Sequence, residues 1–553
     1  MAIGSNGSTA PGLAVRPERT AVNPTEHKNA LMVLGTASHV GKSMITAGLG
    51  RIFADDGYRV VPFKAQNMSL NSAATFDGGE IGRAQALQAE ACRVAARVEM
   101  NPVLLKPSAD TGAQVILLGN MWGQVSASDY HTQRVEQLFP DVLSAYERLS
   151  ANQDLVLLEG AGSPAEINLR EHDIVNMRMA HAADAICLLV GDIDRGGIFA
   201  SLVGTLELLE PEDRARIGGF VINKFRGDES LLWPGVAMIE KRLGLPCLGV
   251  IPFIPDLGLD EEDGVALEDR ASAARRWKNL ELGSARALRI GIIALPHMAN
   301  FTDFDPLALE PAVSLAYLEQ PGELSDADLL VLPGTKQTLD DLRWLEHRGF
   351  ACELRRLNGI GVPIIGICGG FQMLGVIIEE PQGIENRGVP VSGPGLGLLP
   401  MRTLLCAQKT VRRVRGCLHA NIFGAASCPE TLFEGYEIHV GETSYEPGAR
   451  SLAAIVRQGM TESVADGAIS DSGRVLGTYV HGLFDNDAFR HGFIQAARAA
   501  VDLAPAIAWT GVTAEREARI DRLASYLRKS LNVNLLKSWI TAPCPQAAKK
   551  YES

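Results

Sequence analysis

Short apolar runs recur along the chain at 30–34, 155–158, 185–190, 219–222, 290–295, 329–332 and 362–367. They lack the polar alternation of a half-exposed strand, and the intervals between them are long enough for helices. Strands buried on both faces and joined by helical crossovers have this pattern, so the chain reads as α/β with parallel sheets. Residues 260–286 interrupt it with a charged, Ala- and Arg-rich stretch that offers no strand. Two parallel-sheet domains are therefore expected. The predicted division is a flexible tail at 1–27, a first domain at 28–262, a linker at 263–286, a second domain at 287–500 and a helical C-terminal tail at 501–553. The first residues are rich in Gly, Ser, Pro and Ala and lack an apolar signal core. The helical, polar residues near the C-terminus are expected to pack on the second domain. No run reaches the roughly 18 apolar residues that a membrane span needs, so no membrane partner is predicted.

Two of these strands lead into glycine turns that carry chemistry. The run 30–34 enters Gly35-Thr36-Ala37-Ser38-His39-Val40-Gly41-Lys42-Ser43 and then a helical stretch. Strand, glycine loop and helix in that order make a phosphate cradle, in which backbone N–H groups from Gly35, Thr36, Ser38 and Gly41 and the helix dipole favour an anion. Lys42 is placed to reach the β- and γ-phosphates of ATP, and the Ser43 hydroxyl to ligate Mg²⁺. The run 155–158 ends in Glu159-Gly160-Ala161-Gly162, where a strand-end carboxylate can complete the Mg²⁺ site with Ser43, or else cap the next turn. Lys64 follows a further strand candidate and can neutralise a transferred phosphoryl group, although a single lysine is more often a solvated charge.

In the second domain, Ile364-Ile365-Gly366-Ile367-Cys368-Gly369-Gly370-Phe371-Gln372 reads as strand, sharp turn and helix. Flanking glycines permit the strained turn that projects a nucleophile, and a helix N-terminus favours the thiolate. A second strand ends in Pro333-Gly334-Thr335, so the N–H groups of Gly334 and Gly369 are candidates for an oxyanion hole. His481, after a short strand downstream, is the candidate general base.

Composition narrows the setting. The 553 residues are 46% hydrophobic and 21% charged, which suits a soluble globular chain of more than one domain. Nine cysteines without a CxxC pair argue against a zinc site and a disulfide framework, and for a reducing cytoplasm. A net charge of −13 argues against a nucleic-acid partner, because such binding neutralises phosphates with Lys and Arg.

The first domain resembles the dethiobiotin synthetase family, whose P-loop has the same extra residue and whose later strand also ends in Glu-Gly-Ala-Gly. That resemblance implies phosphorylation of a carboxylate, maps Glu159 and Lys64 onto metal- and phosphate-contacting positions, and maps Asn223 and Pro252 onto an adenine pocket. Glu80 is taken as a second carboxylate near the metal. The second domain resembles the class I glutamine amidotransferases, of flavodoxin-like fold, and Gln372 is assigned to glutamine binding. That family usually carries a glutamate two residues after the histidine, where this chain has Leu483. Glu437 or His439 is then expected to orient His481, or the site is a Cys–His pair.

Synthetase before amidotransferase resembles the corrinoid amidases of cobalamin synthesis, and among them the cobyric acid synthase family. The matching segments include Pro62-Phe63-Lys64-Ala65-Gln66-Asn67-Met68-Ser69-Leu70-Asn71-Ser72, Asp192-Ile193-Asp194-Arg195-Gly196-Gly197 and Asn300-Phe301-Thr302-Asp303-Phe304-Asp305-Pro306-Leu307. The resemblance implies ATP- and glutamine-dependent amidation of the b, d, e and g carboxylates of adenosylcobyrinic acid a,c-diamide. Asn67, Asn71 and Arg195 are candidates for gripping the corrinoid, or else stabilise their loops. The competing expectations are an a,c-diamide synthase-like amidase and a partitioning-type P-loop ATPase switch.

Overall fold

The structure is a computed structural model that describes residues 29–541, apart from 109–111, 127–134, 256, 260–276, 278–280, 283–284, 387 and 425–430. The expected tail at 1–27 and most of the expected linker lie outside the described residues. Of the linker, 281–282 and 285–286 pair as a short antiparallel hairpin, where no strand was expected.

The first domain is built on six parallel strands: β1 (Ala30–Gly35), β2 (Val60–Phe63), β3 (Leu155–Glu159), β4 (Ile186–Asp192), β5 (Ile217–Phe225) and β6 (Cys247–Pro252). Their order is β6-β5-β4-β1-β3-β2. β1, β3 and β4 are buried at every position, as unbroken apolar runs require. Helix α1 (Lys42–Asp55) leaves the end of β1, and α2 (Arg83–Ala91) follows an excursion of the chain between 66 and 82.

The second domain has its own sheet, from β7 (Leu288–Ile293), β8 (Val313–Leu318), β9 (Leu329–Leu332), β10 (Ile364–Ile367), β13 (Ala468–Ile469) and β14 (Val475–Thr478), in the order β8-β7-β9-β10-β14-β13. All pairs are parallel except β13 with β14. Helices α3 (Thr338–Arg348) and α4 (Gly369–Leu374) follow β9 and β10. A second, largely antiparallel sheet is dominated by β11 (Met401–Leu418) and β12 (Leu432–Tyr445). It covers the mouth of the cysteine turn, because β12 supplies Ile438, His439 and Val440 to that cleft.

The C-terminal helix corrects an expectation. Helix α5 (Val512–Ser530) packs its apolar face on α1 of the first domain, and only its start bonds to the second domain, at Asp485 and Asp487. Leu523 and Leu527 seat over Gly48, where an added Cβ would meet Leu527 at 2.4 Å. Arg51, fully buried on α1, bonds Glu517 at 2.8 Å and Asp521 at 2.7 Å. Each leucine buried in this seam contributes about 1.5–3 kcal/mol. The chain thus passes through the second domain and returns to clamp the first.

The two domains also meet around residues 71–80. The Ser72 N–H donates to Asn300 Oδ1 at 2.9 Å, the Phe301 N–H to Asn71 Oδ1 at 3.2 Å, and the Tyr436 hydroxyl to the Ser72 carbonyl at 3.3 Å.

Candidate active site

The phosphate loop closes over its own polar groups. Gly41 caps α1 at φ 97°, and a Cβ there would strike the Asn223 amide at 2.3 Å. Asn223 donates to the Val40 carbonyl at 2.8 Å, and the Thr36 N–H donates to the Val190 carbonyl at 2.9 Å, so β4 and β5 hold both ends of the loop. Ser38 stands exposed at its crest, and Gly35 is packed so closely that a Cβ would lie 2.9 Å from Lys42 Nζ. Lys42 donates to the carbonyls of Ala37 (2.9 Å) and Gly162 (3.0 Å). Pro252 ends the edge strand β6.

Glu159, buried at the end of β3, gathers the neighbouring polar groups. Its Oε1 accepts from Ser43 Oγ at 2.8 Å and from Lys64 Nζ at 3.0 Å, and its Oε2 from Gln88 Nε2 at 2.5 Å. A P-loop serine beside a strand-end carboxylate suits Mg²⁺, which takes one or two protein oxygens and completes its shell with phosphates and water. Lys64 is therefore not a solvated charge.

Glu80 is a correction. Its carboxylate accepts from Lys106 Nζ at 2.5 Å on one oxygen and from Lys409 of β11 on the other. Burial would raise its pKa, but the two ammonium groups outweigh that and hold it well below the ordinary carboxylate range. It ties the first domain to the second rather than joining Ser43 and Glu159.

The corrinoid candidates divide as well. Asn67 Nδ2 donates to Gln85 at 2.9 Å, and its Oδ1 accepts from the Met68 N–H. Asn71 faces Phe301 at the domain junction. Both are buried and engaged with protein atoms, whereas Arg195 is exposed on the loop after β4.

At the second glycine turn, Cys368 has φ 51° and ψ −110° between β10 and α4. A non-glycine residue there is strained, at a cost on the order of 1–3 kcal/mol. The glycines around it are obligatory: a Cβ on Gly370 would lie 2.1 Å from the Leu332 carbonyl, and one on Gly366 2.7 Å from the Gly370 backbone. Gly334 sits against both reactive groups, where a Cβ would be 3.4 Å from His481 Cε1 and 3.7 Å from Cys368 Cβ. Gly369 opens α4 beside Thr335.

What orients His481 is Asp303, which sequence reasoning missed. His481 Nδ1 lies 2.6 Å from Asp303 Oδ2, and Asp303 Oδ1 accepts the Gly482 N–H at 3.0 Å. Burial would depress the imidazole, but Asp303, with a smaller part from Cys368, raises it to about 10. Asn300 Nδ2 stands 3.4 Å from His481 Nε2, and the Tyr436 ring stacks on the imidazole with centroids 5.5 Å apart. Glu437 instead pairs with Arg457 at 2.7 Å, and His439 stacks on Tyr479, so neither expected residue reaches His481. The carboxylates in the segment from Asn300 to Leu307 were the available signal.

Cys368, His481, Gly334, Asn300 and Gln372 line one half-open cleft. Gln372 donates to the Val440 carbonyl at 2.9 Å and the Tyr479 hydroxyl at 3.2 Å and accepts from Thr338 at 3.2 Å, so its amide is held by protein atoms.

A P-loop α/β domain followed by a cysteine-turn α/β domain defines a nucleotide-binding, glutamine-dependent amide-forming ligase. Residues 31–267 match the model of the CobQ/CobB/MinD/ParA nucleotide binding domain, and residues 289–489 match that of the CobB/CobQ-like glutamine amidotransferase domain. The chain is 48% identical to cobyric acid synthase of Sorangium cellulosum, over 92% of this chain and 97% of that one. It is 48% identical to that of Desulforudis audaxviator over 92% and 98%, and 46% identical to that of Moorella thermoacetica over 92% and 96%. The chain belongs to the cobyric acid synthase family.

Proposed function

We propose that the chain converts adenosylcobyrinic acid a,c-diamide to adenosylcobyric acid by amidating the b, d, e and g carboxylates, with ATP as activator and glutamine as nitrogen donor. The observation that carries this reading is the seam between the two sites. Ser72 and Asn71 of the first domain bond directly to Asn300 and Phe301, the segment that also supplies Asp303 to His481.

A carboxylate resists attack by ammonia until its oxygen takes the γ-phosphoryl group of ATP, ADP leaving, so that phosphate becomes the leaving group. The chain's part is to position and neutralise. Lys42 exchanges its carbonyl partners for phosphate oxygens, and Lys64, beside Glu159, faces the transferred group. Ser43 and Glu159 would hold Mg²⁺, which would supply further charge neutralisation. In the other cleft the Cys368 thiolate attacks the glutamine amide carbon, the N–H groups of Gly334 and Gly369 face the developing oxyanion, and His481 protonates the departing ammonia. Water then cleaves the thioester to release glutamate. Ammonia attacks the acyl phosphate and phosphate departs, which requires that the anhydride be shielded from water.

The test is to supply the corrinoid diamide with ATP and glutamine labelled at the amide nitrogen, and to count labelled nitrogens by mass spectrometry. Stepwise incorporation up to four is expected. In a parallel incubation with cobyrinic acid, two labels at the a and c positions, with none entering the diamide, would assign the chain to the related diamide synthases.

A further inference from the structure

Three lysines reach the cleft around Cys368: Lys106 from the first domain, Lys409 from β11 and Lys336 from the turn after β9. Lys106 and Lys409 share the Glu80 carboxylate. The Lys336 ammonium makes no hydrogen bond or ion pair among the described residues, although it is enclosed deeply enough for burial to lower its pKa. Lys336 is half-buried in the cleft wall and, unlike the other two lysines, holds no carboxylate at contact distance among the described residues.

Glu385 lines the same cleft. Its carboxylate accepts the Thr338 N–H at 2.6 Å and the Thr338 hydroxyl at 3.4 Å, which fixes it at the start of α3. Lys336 and Glu385 feel each other's charge without approaching to the 4.0 Å of an ion pair. Burial raises Glu385 to about 7 against the opposing pull of Lys336. A cation and an anion held apart in one cleft suit a ligand that carries both charges. Lys336 also lies two residues beyond Gly334, beside the reacting carbon's place, and Gln372 has its amide hydrogens occupied.

We propose that Lys336 and Glu385 form the subsite for the zwitterionic head group of an α-amino acid, Lys336 receiving the α-carboxylate and Glu385 the α-ammonium, and that this pair selects L-glutamine over simple amides. The inference rests on the reading of Cys368 as the glutamine-attacking nucleophile. It makes Lys336 and Glu385 specificity-determining residues.

The experiment measures ammonia release by the full chain from L-glutamine, from γ-aminobutyramide, which lacks the α-carboxylate, and from glutaramate, which lacks the α-ammonium. Lys336→Ala should raise KM for glutamine about 10–100-fold, the range for losing a charged hydrogen-bond partner. It should leave kcat nearly unchanged and γ-aminobutyramide unaffected. Glu385→Gln should do the same for glutamine and spare glutaramate. Lys336→Met, which keeps the aliphatic stem, guards against a folding defect, and ammonia-driven amidation reports that the chain is intact. Equal losses on glutamine and γ-aminobutyramide, or an unchanged KM for glutamine in both Lys336 variants, overturns the subsite. Ammonia release that survives Cys368→Ser overturns the nucleophile reading instead, whatever the Lys336 variants do.

Discussion

The phosphate loop and the cysteine turn share a local architecture: a buried parallel strand, a glycine turn and a helix. They differ in what their charged groups do before any ligand arrives. At the phosphate loop, Lys42 holds two backbone carbonyls, and Ser43, Lys64 and Gln88 all hold Glu159. At the cysteine turn the nucleophile sits in a strained conformation, and its histidine is aligned by Asp303, which also raises the imidazole. The first site is self-paired and must exchange partners to bind ATP, and the second is poised to react. Residues 71–72 join the two halves through hydrogen bonds to Asn300 and Phe301.

Changes confined to one half should separate the two chemistries. The largest effect expected is from Cys368→Ser: glutamine-driven amidation falls by roughly 10⁵-fold while ammonia-driven amidation persists. Parallel assays with the two nitrogen sources check this, and loss of both activities would mean that the halves do not function separately. Lys42→Ala should reduce amidation from either source by about 10³-fold, since phosphoryl transfer depends on charge placement. Glutamine hydrolysis in that variant should remain measurable, and its disappearance would place Lys42 in a shared structural element. Asp303→Asn should lower glutamine-driven turnover by about 10²–10³-fold and leave ammonia-driven turnover alone, because the imidazole loses its tautomer and its charge partner. Smaller still, Asn71→Ala removes the bond to the Phe301 N–H. It should change glutamine turnover by about 3–10-fold and increase the ammonia released per amide formed, on the order of one lost hydrogen bond. An unchanged ratio of ammonia to amide would show that this seam carries no coupling.

The two halves are also unequally legible. The sheets of both domains can be read because a parallel strand buried on two faces leaves an unbroken apolar run, and the glycine turns because only glycine tolerates the approaches at Gly41, Gly366 and Gly370. Strand order cannot be read, since each run is apolar in the same way. β11 escapes the pattern although its side chains partly alternate between buried and exposed, because arginines dominate its exposed face. Helix α5 is expected on the wrong domain for a related reason: an amphipathic face shows that a helix is covered, not by what. Glu80 is the clearest case. A carboxylate at that position carries no mark of Lys106 and Lys409, which only the fold brings to it. Asp303 escapes notice because the expected partner of the histidine lies just after it, whereas here the partner arrives from a segment upstream of the nucleophile.

The smallest effect expected is on stability, and its direction with pH tests whether the cysteine site is charged at rest. His481 is raised in the folded chain from an unfolded value near 6.5 to about 10. Between those values the folded state binds a proton that the unfolded state does not, so stability falls as pH rises. The contribution of the Asp303–His481 pair is complete below about pH 6.5 and is lost as pH climbs through about 10. Its upper bound is a few kcal/mol, since a tenfold gain in proton affinity corresponds to about 1.4 kcal/mol and burial opposes that gain. In Asp303→Asn the imidazole loses that partner, so the variant should melt several degrees below the parent near pH 6.5, and the two melting curves should converge toward pH 10. Differential scanning fluorimetry of both chains across that range, read as the difference in Tm, removes the titration of all other groups. A gap that widens with pH would mean that His481 rests neutral, and that Asp303 orients the imidazole without charging it.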